Sequence, residues 1–260
     1  ITAPAQPSVV FTKETETNLY TATVGGNSKL QFMCNMDVTN SSIKPTKVFQ
    51  MIHGMTRNVK SYFNMANSAW GKTALVLVWA PRFSIQSEIP NASYNYWTQS
   101  SAATGDPSGG PSRMTSFEFL DAINATFFKL YPITVAALAG HSFGGQCTAR
   151  YTGLSYLPEL FPKINIYFCI LSPSSFLWIV PDKPAASTGN CSGNNWFYGL
   201  DRLNPYATKM GASNIYCNYM NRNVLVMIGT NDTQSAMLDQ SCQANTQGAN
   251  RYERAQNFNT

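Results

Sequence analysis

The sequence predicts an α/β protein with three layers, in which helices cover both faces of a mostly parallel central sheet. Two apolar runs, residues 73–80 and 135–139, have no polar alternation, as is typical of strands that are buried on both faces. Segments with helical periodicity, residues 60–70 and 116–131, lie between these strands. Alternating strands and helices along one chain favour a parallel sheet.

The remaining elements follow from local patterns. Residues 1–44 predict two or three strands, at 8–12, 18–24 and 29–36, that form an antiparallel edge of the sheet. A strand at 47–52 comes next, and further buried strands are predicted at 164–171 and 223–228. The helix of residues 116–131 has Ser116 as its predicted cap and Glu118 in its first turn. A helix over 143–154 and another over 245–258 complete the pattern.

Two long segments lack periodicity. Residues 84–113 are rich in Ser, Asn, Gly, Pro and Tyr, and residues 176–222 resemble a cap-like excursion from the domain. Such loops lie over a site or on the surface. Tyr94 and Trp97 therefore either line a substrate cleft or anchor the long loop that contains them.

Composition excludes several classes of protein. The 260 residues fit one domain, 1–260, of which 44% is hydrophobic and 12% charged. No run of 18 or more apolar residues occurs, so we expect no membrane span. The net charge of +5 is spread thinly, without a basic cluster, and no nucleic-acid partner is expected.

A serine at a predicted sharp turn is the first candidate for chemistry. Gly140-His141-Ser142-Phe143-Gly144 has the form Gly-x-Ser-x-Gly between a buried strand and a helix. Such a turn holds the serine in a strained conformation, and the glycines leave room for neighbouring chain. The pattern alone occurs by chance in many chains, but the flanking strand and helix favour Ser142 as a nucleophile.

An acid and a base are needed beside such a serine. Asp232 follows the strand of residues 223–228 and is the predicted acid, although an aspartate here can also serve only to stabilise a turn. Asp201 and Asp239 are the reserve candidates. The two histidines are badly placed: His141 precedes the serine, and His53 belongs to the loop after the strand of 47–52.

Cysteines and sequons favour an exported protein. None of the six cysteines forms a C-x-x-C pair or lies at metal-ligand spacing from histidine, so no metal site is expected. Cys191, Cys217 and Cys242 are the better disulfide candidates. Asn-x-Ser/Thr sequons suit a secreted glycoprotein, as does a first residue other than Met. The sequons begin at Asn40, Asn91, Asn124, Asn190 and Asn231.

Five segments carry a resemblance to a known group of enzymes. They are HGMTRNVKSYF (53–63), VWAPRF (78–83), AGHSFGGQCTARY (139–151), NNWFYGL (194–200) and GTNDT with LDQSC and QGANRYER (229–254). From about residue 45 to its end the chain is similar to secreted α/β-hydrolases, a group distantly similar to polyhydroxyalkanoate depolymerase-like and feruloyl-esterase-like serine esterases.

The resemblance implies an α/β-hydrolase fold and a serine esterase or depolymerase without a cofactor. It implies Ser142 as nucleophile and Asp232 as acid, and it suggests that Cys191 pairs with Cys242. The loop after the strand of 47–52 is expected to build the oxyanion hole, with the backbone N–H groups of Met55 and Phe143 as donors. His53 and Gly54, in the same loop, are expected to contact the substrate.

The resemblance also implies a histidine on a loop after one more strand, which would follow Thr260. The fold is therefore expected to lack its last strand and helix in this chain. One explanation is that a complementary C-terminal fragment or a partner chain supplies the histidine. The alternative is a catalytically silent glycoprotein that acts as a binding or assembly module. His53 acting as the base is a third, weaker hypothesis.

Overall fold

A computed structural model describes residues 3–98, 100–184 and 191–258, and eight strands in these ranges form one sheet. The strands, in chain order, are β1 (Val9–Lys13), β2 (Leu19–Val24), β3 (Ser28–Cys34), β4 (Lys47–Ile52), β5 (Val76–Pro81), β6 (Val135–His141), β7 (Asn165–Leu171) and β8 (Asn223–Met227).

The sheet has an antiparallel part and a parallel part. Its spatial order is β1-β2-β3-β5-β4-β6-β7-β8. The pairs β1–β2, β2–β3 and β3–β5 are antiparallel, which confirms the antiparallel edge predicted for the first 44 residues. The strands β5, β4, β6, β7 and β8 run parallel to one another. Their carboxyl ends therefore meet along one edge, where ligands bind in open sheets of this kind.

Helices cover both faces of this sheet. They are α1 (Val59–Trp70), α2 (Ser116–Leu130), α3 (Phe143–Leu154), α4 (Leu157–Leu160), α5 (Pro205–Met210), α6 (Ala212–Asn221), α7 (Cys242–Asn245) and α8 (Arg251–Phe258). The larger core lies between the sheet and α2, α3 and α6, and a smaller one lies under α1 on the opposite face. Helix, sheet and helix make three layers, as predicted.

The start of α2 differs in one detail from the sequence prediction. Thr115, not Ser116, is the cap: its hydroxyl accepts the N–H of Glu118, and the Glu118 carboxylate accepts the N–H of Thr115. Ser116 is fully buried and donates its hydroxyl to the carbonyl of Ala102. This reciprocal cap fixes the start of α2, the helix that precedes β6.

The excursion of residues 176–222 contains two helices that periodicity did not predict. Asn204 caps α5 by accepting the N–H of Ala207, and Pro205 occupies the first helical position. The helix α6 buries only Ile215 and Tyr219, so its apolar stripe is too sparse to register in the sequence. The helix predicted over 245–258 begins only at Arg251, as α8; Asn245 is the last residue of α7, and Gly248, whose φ is +144°, lies in the turn between the two helices.

The prediction that Asn124 is a glycosylation site is wrong. Its side chain is fully buried in α2, donates to Gln50 Oε1 at 2.7 Å and accepts the indole N–H of Trp79. A glycan cannot reach this position without breaking the core. Asn40 and Asn91 are exposed, whereas Asn190 lies outside the described residues.

Candidate active site

Ser142 occupies a strained turn, the elbow, between β6 and α3. Its φ of 57° and ψ of −114° are unusual for a residue with a side chain. Two bonds hold the turn: the N–H of Ser142 donates to Leu171 O, and the N–H of Gln146 donates to Ser142 O. The side chain is half-buried, and its hydroxyl has no hydrogen-bond partner in the described part of the chain. The turn therefore presents an unengaged hydroxyl at the carboxyl edge of the sheet.

The flanking glycines are required by close backbone approach. A Cβ at Gly140 would lie 2.1 Å from Gly144 O, and one at Gly144 would lie 2.3 Å from Ile52 O and 2.8 Å from His53 O. Contacts this short with backbone cannot be relieved by a rotamer change. The sequence signal, Gly on both sides of the serine, thus reports the packing of the elbow against the end of β4.

The loop after β4 lies against the serine. A Cβ at Gly54 would lie 3.8 Å from Ser142 Cβ, so there is direct contact between the loop and the elbow. The loop turns at once, with the N–H of Arg57 donating to Gly54 O at 3.0 Å. The backbone N–H groups of Met55 and Phe143 donate to no acceptor within the described ranges. Both are thus available to a ligand, which is the property an oxyanion hole needs.

His53 holds this loop and does not face a substrate. The ring is fully buried: Nδ1 lies 2.8 Å from Gly54 O, and Nε2 accepts the N–H of Phe83 at 3.1 Å. Burial lowers its pKa to about 4, so the ring is neutral at pH 7 with its proton on Nδ1. With both nitrogens engaged, His53 can neither act as the base nor touch a substrate, and the expectation of substrate contact is corrected.

His141 is hydrogen-bonded to Tyr62 of α1. Its Nδ1 lies 2.9 Å from the Tyr62 hydroxyl, and that hydroxyl also lies against the backbone of Gly54. Burial lowers the pKa of His141; the charge of Arg251 lowers it further and that of Asp232 raises it. These two charges therefore act on the residue next to Ser142.

Asp232 is paired with an arginine. The Asp232 Oδ1 lies 3.5 Å from Arg251 Nη1, and its carbonyl accepts the N–H of Tyr252 at the start of α8. Arg251 also donates to the Ser174 hydroxyl and to Met237 O, and it is 8% exposed. The second carboxylate oxygen of Asp232 has no hydrogen-bond partner among the described residues, so it remains open to a further donor.

Two buried arginines fix the segment 172–175, which follows β7 beside the elbow. Arg150 of α3 donates to the carbonyl and the hydroxyl of Ser175. Arg254 of α8 donates to Ser174 O and to Asp239 O. The reserve acid Asp239 is engaged elsewhere, since its carboxylate accepts the Tyr198 hydroxyl at 2.8 Å. Helices α3 and α8 are thereby tied to one loop between Ser142 and Asp232.

The two aromatic residues predicted to line a cleft anchor the long loop. Tyr94 lies against the antiparallel part of the sheet, where its hydroxyl is 3.2 Å from the Thr21 hydroxyl of β2. Trp97 is buried, with edge contacts to Phe83 and Phe119. Their contacts are those of the anchoring alternative, and the expected placement at a substrate cleft is corrected.

The predicted disulfide between Cys191 and Cys242 is present. Cys217 is exposed and unpaired, and Cys147 is buried in α3. In the described residues no group of three or more His, Cys, Asp or Glu could hold a metal ion. Among the helices of the described residues, none combines the length with the apolar character that a membrane span requires.

Solved structures share this fold over most of the chain. Poly(aspartic acid) hydrolase-1 from Sphingomonas sp. KT-1 superposes with a TM-score of 0.60 and 18% identity, covering 98% of this chain and 84% of its own. LpqC, a poly(3-hydroxybutyrate) depolymerase from Bordetella parapertussis, gives 0.63 and 16%, covering 90% and 71%. The chain has the α/β-hydrolase fold. No family model and no curated protein sequence matches it.

Within this α/β-hydrolase fold, the structure brings Ser142, Gly54 and Phe143 together at one edge of the sheet. Sequence reasoning missed Tyr62 and Arg251, the partners of His141 and Asp232. Both are ordinary helix residues with no motif around them, and only the fold makes them neighbours of the site. The one signal was that both lie inside segments that carry the resemblance.

Proposed function

We propose that this protein is an exported serine hydrolase that cleaves carboxylic esters. The observation that carries the proposal is the strained turn at Ser142, which presents an unengaged hydroxyl in contact with the loop of Gly54 and Met55. The two superposed proteins are named as a hydrolase and a depolymerase, which supports the same class of chemistry. Exposed sequons at Asn40 and Asn91 support an extracellular, glycosylated protein.

In the proposed mechanism Ser142 Oγ attacks the ester carbonyl while a histidine takes the hydroxyl proton. The N–H groups of Phe143 and Met55 stabilise the oxyanion, and each such donor contributes about 100- to 1,000-fold in rate. The histidine then gives its proton to the leaving alcohol. Water then attacks the acyl-serine while the histidine takes its proton, and the histidine returns that proton to Ser142 Oγ as the carboxylic acid is released.

The histidine is the missing member of this proposal. His53 is buried, and both of its ring nitrogens are hydrogen-bonded; Nδ1 of His141 is hydrogen-bonded to the Tyr62 hydroxyl. We therefore propose that the base comes from a complementary C-terminal segment or a partner chain. The open oxygen of Asp232 supports this, because a carboxylate already paired with Arg251 can still accept a histidine N–H. A strand added beside β8 would end next to Asp232, at the carboxyl edge of the sheet.

A fluorophosphonate probe tests the proposal, since it labels only an activated serine. We expect the protein from its natural source to be labelled, and Ser142→Ala to reduce labelling by about a thousandfold or more. Ser235→Ala, which removes an exposed hydroxyl, is the matched control and keeps full labelling.

The second candidate is a catalytically silent binding module. The Arg251–Asp232 ion pair favours it, because the arginine already compensates the negative charge of the predicted acid. The same labelling experiment separates the two. If the natural protein is labelled and residues 1–260 alone are not, the external histidine is supported. If neither is labelled, the esterase proposal fails and the module remains.

A further inference from the structure

A small cavity beside the loop after β4 carries an excess of positive charge. Its volume is about 210 Å³, and it lies where the start of α1 meets β2 and β3. Three cationic side chains, Arg57, Lys60 and Arg82, line it together with one acidic side chain, Glu16. Leu19 and Met33 contribute an apolar wall. The cavity thus combines positive charge with an apolar wall.

One of the three cations has no acidic partner. Arg57 Nε contacts both carboxylate oxygens of Glu88, at 2.9 and 3.0 Å, and Lys60 pairs with Glu16 at 3.0 Å. Arg82 donates only to the neutral amide oxygen of Gln31 and forms no ion pair within the described residues. A guanidinium carries five N–H donors, so most of the hydrogen-bonding capacity of Arg82 is unused.

The cavity is connected to the loop that contacts Ser142. Arg57 Nη1 donates to Met55 O, the carbonyl of the proposed oxyanion residue. Arg82 directly follows β5, and β5, β4 and β6 are adjacent in the sheet. Two strand spacings, about 10 Å, therefore separate the end of β5 from the turn at Ser142. His53 lies at the end of β4, between these two strands. Its pKa is lowered mainly by burial, and the positive charges of Arg57 and Arg82 lower it further.

We propose that this cavity binds a carboxylate on the non-reacting end of the substrate, with Arg82 as its principal ligand. The substrate class is then an ester that carries an acid a few carbon atoms from the scissile bond, such as a half-ester of a dicarboxylic acid. This inference rests on the proposed esterase function. A planar guanidinium matches a carboxylate through two parallel N–H donors, and the neighbouring Lys60 and the amino end of α1 add positive potential.

Binding to an inactive variant separates this inference from hydrolysis. Ser142→Ala protein is titrated with monomethyl adipate, which is anionic, and with dimethyl adipate, which is neutral and nearly the same shape, by isothermal calorimetry. We expect the half-ester to bind about tenfold more tightly, the gain of one charge-assisted contact. The preference is expected to shrink as salt is raised.

Arg82→Gln in the same background is expected to abolish the preference, and Arg82→Lys to retain part of it, because lysine keeps the charge and loses the planar fork. Lys47→Gln makes the same charge change at the amino end of β4, whereas Arg82 follows the carboxyl end of β5. It is the control that keeps the preference. Unfolding curves verify that the variants are folded.

Equal binding of the two esters, no binding of the half-ester, or a preference that survives Arg82→Gln overturns the inference. A preference that depends on Arg82 in a protein without any serine labelling keeps the anion site and rejects the esterase. Labelling without the preference does the reverse.

Discussion

At the scale of single residues, the loop that faces Ser142 depends on a histidine that never meets solvent. His53 bridges the carbonyl of Gly54 and the N–H of Phe83, and its ring lies nearly parallel to that of Phe143, with an interplanar angle of 11°. A neutral imidazole is suited to this place because it offers one donor and one acceptor at a fixed distance. A proton added to Nε2 would replace an acceptor by a donor facing another donor.

This arrangement predicts a pH dependence of folding. The pKa of His53 is about 4 in the folded protein and 6.5 as the ordinary value, so between these values the unfolded chain binds more protons. The contribution of His53 is therefore complete above pH 6.5 and is lost as the pH falls towards 4, by about 3 kcal/mol. We expect His53→Gln to be less stable at pH 7 and to lose less stability than wild type between pH 7 and pH 4.

Urea unfolding at pH 7, 5.5 and 4 measures the difference. Asp121 acts in the opposite direction, since burial raises its pKa to about 6 and the folded state then holds the extra proton. For this reason the comparison of the two proteins, not either profile alone, isolates His53. Parallel profiles for wild type and variant would show that His53 does not titrate with folding.

At the scale of elements, the sequence predicts those whose pattern is local. The strand β4 and the helix α3 have the predicted bounds, because an apolar run and a helix behind Gly-x-Ser-x-Gly are complete signals within one segment. The helices α5 and α6 were missed because their buried positions face a core made by distant residues. Ser142 was found from its own turn, whereas the pairs His141–Tyr62 and Asp232–Arg251 join separate elements that only the fold brings together.

The disulfide is an element-scale constraint that can be tested. Cys191 and Cys242 are 51 residues apart, and closing a loop of this length removes chain entropy from the unfolded state worth about 4 kcal/mol. We expect the double variant Cys191→Ser and Cys242→Ser to be less stable by up to this amount, measured by urea unfolding. Cys217→Ser, at an exposed and unpaired cysteine, is the control and should be unchanged.

A reducing agent provides an independent comparison. It is expected to destabilise wild type and Cys217→Ser equally, and to leave the double variant unaffected. If wild type is unaffected as well, the bond contributes nothing to stability, and α7 is held by its packing alone.

At the scale of the whole molecule, the described sheet ends in a strand that is poorly covered. Of the side chains of β8, Leu225 is 48% and Met227 55% exposed on one face. On the other face Val224 and Val226 line a groove of about 810 Å³ together with Tyr219 and Phe258. An apolar edge strand with an unpaired backbone is a template for another strand.

The edge of β8 is therefore expected to drive self-association of residues 1–260 when these are prepared alone. Replacing both exposed side chains, Leu225→Lys and Met227→Lys, puts two charges on the edge and should shift the protein to monomer, as measured by light scattering over a range of concentrations. Met65 of α1 is 56% exposed, much like Met227, so Met65→Lys is the matched control and should leave association unchanged. Association that persists in the double variant would place the contact elsewhere. Because the proposed histidine-bearing strand would pair with this same edge, the double variant should also lose serine labelling in any preparation where that segment is present, although its Ser142 turn is intact.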